Sequence, residues 1–168
     1  MNKSWFIVII FFLVIVQVSF YFEYLSHLVP DLSFLLLVLY ALNVKRKEEA
    51  SAVAVVVGLF QDLLIGRALG PYALAKLLVV YWSGWLGEKD ILEGNPPGVF
   101  ITLVIFNLLY WFILWLIYIT SFQVDILFHS YLWDHLFFQS VLAGVLGTIL
   151  NPKIKGIVKK RGHLFPYR

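Results

Sequence analysis

The 168-residue chain contains no cysteine. That absence excludes a disulfide, a thiolate nucleophile and a zinc–thiolate site together. Charge is scarce too: 14% of residues are Asp, Glu, Lys or Arg, where soluble domains carry about 25%. The four histidines, at positions 27, 129, 135 and 163, show no HExxH or other close ligand spacing. What is abundant is apolar: 61% of residues are hydrophobic and 18% aromatic, and mean hydropathy is strongly positive. So little polar surface cannot clothe a water-facing globule, and an integral membrane protein is expected. The formal charge of +3 comes largely from one basic tail. A bilayer with anionic headgroups is the partner this implies, sooner than nucleic acid.

A helix crossing the hydrocarbon needs roughly 20 apolar residues. Clear runs lie at Trp5–Phe22, Tyr72–Leu86 and Val99–Ser121. The first is long and ends on bulky residues, so an uncleaved span is expected there in place of a signal peptide. Two shorter runs, Leu32–Val44 and Ala50–Ile65, flank "KRKEE" and read as a helical hairpin. A last run, Ser130–Leu150, is expected to stop at Asn151-Pro152. The expectation is an all-α membrane protein of six transmembrane helices over residues 1–151, with a basic cytoplasmic tail over 152–168. With the N-terminus inside, eleven of the thirteen basic residues fall in cytoplasmic segments, leaving only Arg67 in an outer loop and Lys76 in a helix. Both termini are therefore predicted to be cytoplasmic.

Lipid makes the remaining polar residues conspicuous. Asp62 lies in a four-step row with Ala50, Ala54 and Gly58, a stripe of small side chains that lets helices approach closely. Gly66 and Gly70 permit a tight turn beyond it, and Pro71 suits the start of the next helix. We expect Asp62 to accept hydrogen bonds from backbone N–H groups of that turn. Lys76 shares a face with Gly84, and the last helix carries Asp134, His135 and Gln139 at a similar outer depth. His135, Gln139, Ala143 and Gly147 form one row, with Ser140, Gly144 and Thr148 beside it; this stripe is expected to pack within the chain. Gln17 and Ser19 occupy the outer part of the first helix.

The topology thus gathers Asp62, Lys76, Asp134, His135 and Gln139 near the outer end of the bundle. One reading is a solute, proton or catalytic site, because intramembrane ionisable groups often work. The preferred reading is a structural network in which Lys76 pairs with Asp62 or Asp134. Nothing in the sequence sets a nucleophile beside a base, so no enzyme activity and no cofactor or metal are expected. The aromatic clusters Tyr81-Trp82-Trp85 and Tyr110-Trp111-Trp115 read as packing and interfacial anchors.

The stretch "GLFQDLLIGRALGPYALAKLLVVYWSGWLG" resembles the central segment of the rod shape-determining MreD family. The matching positions are Gly58, Asp62, Leu63, Leu64, Gly66, Leu69, Gly70, Tyr72, Ala73 and Leu74. "VPDLSFLLLVLYAL", where Pro30 and Asp31 open the second helix, also looks like the family. Ile65 and Arg67 depart from its small-residue turn. The resemblance implies a non-catalytic, multi-pass subunit of the cell-elongation machinery in the bacterial inner membrane. Such a subunit works with the bitopic protein MreC to link MreB filaments to peptidoglycan synthesis by RodA and its class B penicillin-binding transpeptidase. It also implies a fold like the S-components of energy-coupling-factor transporters. A vitamin-binding S-component is the alternative function. Against it, "WFIVIIFFLVIVQVSF" has only Ser19 as a small residue, where S-components carry small docking stripes.

Overall fold

A computed structural model of the chain describes residues 3–21, 30–44, 47–66, 68–89, 95–122 and 138–162. These residues form six helices and no strand: α1 (Lys3–Tyr21), α2 (Leu32–Val44), α3 (Lys47–Ile65), α4 (Pro71–Glu88), α5 (Pro96–Phe122) and α6 (Phe138–Gly162). The first five coincide with the apolar runs to within a few residues. One stretch, Pro96–Thr120, is long and apolar enough by itself to cross a membrane, and Ile7–Ser19 and Leu32–Val44 are shorter apolar helices. α3 misses that standard because Glu48, Glu49 and Asp62 load it with charge, and α4 because Lys76 and Glu88 come with glycine, serine, tyrosine and tryptophan.

The sixth helix differs from expectation. Residues 130–137 lie outside the described residues, and α6 does not stop at Asn151-Pro152 but continues to Gly162 with Pro152 inside it. Proline removes a helical N–H and crowds the preceding turn, so contacts on both sides must hold the helix together. They are present. Asn151 accepts a 2.9 Å hydrogen bond from Asn43 of α2, and Ile154 is buried in the core.

α2 is the axis of the fold. It packs against all five other helices, whereas α1 touches only α2 and α3, and α6 only α2 and α5, among the described residues. Leu37, Val38, Leu39 and Ala41 are shut off from the surface, and α2 exposes no large apolar side chain. The outer helices do the reverse: Phe12, Val56, Leu63, Leu78, Ile101, Phe112, Val145 and Ile149 all lie on the surface. Apolar exposure on five helices far exceeds the single patch a soluble monomer tolerates. Enclosure explains how a 13-residue helix of about 20 Å fits, since α2 need not match a bilayer's thickness.

Small residues set the seams. A Cβ on Gly58 would strike the backbone of Ala73, lying 2.7 Å from its nitrogen, so α3 and α4 meet backbone to backbone. At the other end of this antiparallel hairpin, Gly84 lies against Lys47, and Gly87 lies against Leu42 of α2. Gly144 packs on Phe100 and Val104 of α5, and Gly147 on Leu103 and Leu35, so the α6 stripe is used within the chain. Gly58→Ala forces backbones apart where no side chain can give way. It is expected to cost about 1–3 kcal/mol, read as a lowered unfolding midpoint in detergent, whereas Gly156→Ala meets open space and should leave the midpoint in place.

Candidate functional site: the buried polar clusters

Two polar clusters lie at the end of the bundle where α1 finishes and α2 and α4 begin. In the first, Asp62 is 2% exposed and its carboxylate reaches the start of α4. One oxygen accepts from Gly70 N–H at 3.0 Å and Ala73 N–H at 3.2 Å; the other accepts from Tyr72 N–H at 3.1 Å. Pro71 between them has no N–H to satisfy. One side chain thus takes up every backbone donor from Gly70 to Ala73. Two glycines at φ 69° (Gly66) and φ 117° (Gly70) let the chain double back that tightly. The row Ala50, Ala54, Gly58, Asp62 makes this possible, because only small residues let α3 come close enough.

The second cluster centres on Asp31, the N-cap of α2. Its Oδ1 accepts from Phe34 N–H at 2.9 Å and from the Ser33 hydroxyl at 2.6 Å. Its Oδ2 accepts from the Tyr110 hydroxyl of α5 at 2.9 Å and pairs with the Lys76 ammonium of α4 at 3.0 Å. The same ammonium donates to Ser33 Oγ at 2.6 Å. Gln17 completes the shell from α1: its amide donates to the Pro30 carbonyl and accepts from Ser33 N–H. Phe34 stacks on the Tyr110 ring at 4.1 Å. Lys76 and Tyr110 are both 0% exposed. Three helices, α2, α4 and α5, meet at one carboxylate, and α1 joins the cluster through Gln17.

This corrects the expected pairing as far as Asp62 is concerned. Among the described residues the ion-pair partner of Lys76 is Asp31 and not Asp62. Asp62 is already filled by backbone donors, which is the physical reason it is not the counter-ion. Tyr110, expected as packing or an interfacial anchor, is a buried hydrogen-bond donor, and Trp111 is buried beside it. Tyr81, Trp82 and Trp85 do lie on the surface of α4. Asp134 and His135 fall outside the described residues. Gln139 is buried in α6 next to Ser140, which accepts a 2.8 Å hydrogen bond from Asn107 of α5. Gly144 and Gly147 belong to the α5–α6 seam.

Sequence reasoning missed Asp31, Ser33 and Tyr110 as members of the cluster. For Asp31 a signal exists: "PDLSF" places an N-cap aspartate directly before an apolar run. For Tyr110 none does, because almost every neighbour on α5 is equally apolar.

Chemically, the Asp31 carboxylate accepts four donors, about its full capacity. Its oxygens are committed to hydrogen bonds, and the Lys76 ammonium is held between an anion and a hydroxyl. Groups held this way fix helix ends in place and are poorly suited to exchanging protons with a substrate.

Comparison with known proteins adds one match. The family model described as rod shape-determining protein MreD matches residues 1–161. No curated protein and no solved structure matches the chain. A match over nearly the whole length, on a bundle whose Asp62 turn carries the residues that resemble the family, decides the assignment: the chain belongs to the MreD family of rod shape-determining membrane proteins.

Proposed function

We propose that this protein is a non-catalytic scaffold of the bacterial cell-elongation complex, crossing the inner membrane six times with both termini in the cytoplasm. In this reading it binds MreC and, through it, couples MreB filaments to RodA and its class B penicillin-binding transpeptidase. The observation that carries the scaffold reading is the saturation of the buried charges. Asp31, Lys76 and Asp62 are occupied with capping α2 and α4 and joining helices, as a rigid docking body requires. Charge placement supports the orientation. Lys47, Glu88 and Lys89 share the end of the bundle where α6 runs on through Lys153 and Lys155, opposite the two clusters.

The S-component reading is the alternative. Val8, Ile9, Phe12 and Ile15 stand exposed on α1, so the surface such a subunit would offer to a coupling protein is bulky. Affinity purification of the tagged full-length chain in mild detergent separates the two. The expected result is recovery of a bitopic elongation protein, together with rounded cells when the chain is depleted. Recovery of an ATPase and coupling subunit with a bound vitamin, and unchanged cell shape, overturns the scaffold reading.

A further inference from the structure

The α3–α4 turn is built unlike a loop that projects into water. In water, solvent can satisfy a turn's N–H groups, whereas in lipid each of them needs a partner from the protein itself. Here all three donors go to a carboxylate that is almost fully buried. Among the described residues the surface of the turn is apolar as well. Leu63, Leu64 and Leu69 are exposed, and Leu69, at 68%, is the most exposed large apolar side chain described. Arg67, the single charge in this stretch of sequence, lies outside the described residues.

The opposite end of the same hairpin is charged. Lys47 and Glu88 form a 3.0 Å ion pair across its open end, and the Lys89 ammonium lies 3.6 Å from the centre of the Trp85 ring. Exposed tryptophan with lysine at a helix end marks a headgroup layer. From that layer α3 runs 19 residues, about 28 Å. The hydrocarbon is about 30 Å thick, and tilt shortens the reach further. The turn therefore ends at or short of the far boundary.

We propose that the α3–α4 turn is seated in the extracytoplasmic leaflet, with Leu64 and Leu69 among lipid acyl chains and Asp62 taking the place of water. This rests on the membrane reading given above. The absence of cysteine makes the test direct. Leu69→Cys, Leu59→Cys and Lys153→Cys are each made in the full-length chain, labelled with a nitroxide and reconstituted in phospholipid nanodiscs. Collision with oxygen, which concentrates in acyl chains, is compared with collision with a water-soluble nickel chelate. The expected result is that Leu69 follows the lipid-facing helix position Leu59, favouring oxygen several-fold, with Lys153 reversed. If Leu59 favours oxygen and Leu69 the chelate, the turn stands in water and the proposal fails alone. If Leu59 also favours the chelate, the membrane reading fails with it. If the label at Leu69 is shielded from both reagents in the complex purified from cells, a protein covers the turn and the lipid assignment is overturned.

Discussion

Lys76→Met is expected to destabilise the protein by about 3–5 kcal/mol, the range for removing one partner of a buried ion pair. Methionine fills much of the space of the lysine stem. What it cannot do is neutralise Asp31, whose carboxylate would remain inside the bundle with three neutral donors and no cation. The double variant Lys76→Met, Asp31→Asn removes both charges and is expected to recover most of the loss, since a neutral replacement of a buried pair is often nearly neutral in stability. Lys76→Met with Asp62→Asn is expected to show a smaller coupling, since Asp62 acts on the ammonium more weakly than Asp31 does. Unfolding in detergent, followed by the fluorescence of the six tryptophans, reads wild type, the single variants Lys76→Met, Asp31→Asn and Asp62→Asn, and both doubles. Additivity in the Asp31 cycle would remove the pairing from the account.

Asp62→Ala is expected to be comparably severe for a different reason. It strands the N–H groups of Gly70, Tyr72 and Ala73 together, and a buried donor without a partner costs about 1–3 kcal/mol. Neighbouring losses do not simply add, so a total of roughly 3 kcal/mol or more is expected. Asp62→Asn keeps one acceptor oxygen and should fall between wild type and alanine. The measurements are yield and unfolding midpoint, with capture of MreC measured on whatever folds. Unchanged stability with lost capture would move Asp62 from a positioning role to a contact residue.

The helices were legible because apolar runs bounded by polar residues mark them. A segment that cannot bond its backbone to water must form long apolar helices, and α2 begins and ends where the apolar run does. The Asp62 turn was legible for a related reason, since Gly58, Gly66, Gly70 and Pro71 lie within one stretch of sequence and their spacing defines a face and a reversal. The partner of Lys76 was not. Spacing says which residues share a helix face and nothing about which other helix lies opposite. The neighbour of α4 is decided by the packing of the whole bundle around α2. Pro152 misled for the complementary reason: its local preference for ending a helix is overridden by Asn43 and by the burial of Ile154, neither visible from its flanks.

The glycine seams have a consequence for recognition. Gly58, Gly84, Gly87, Gly144 and Gly147 are all occupied by neighbours in the same polypeptide, so, among the described residues, a visiting helix meets mostly branched and aromatic side chains. Swapping acyl tails for such side chains gains little dispersion energy, because hydrocarbon already wets them equally well. Selectivity among visitors therefore has to originate at the two rims, where sequence-specific polar groups meet. Substitutions midway along the exposed faces of α1, α5 or α6 should be forgiving, while changes at either rim should discriminate one visitor from another.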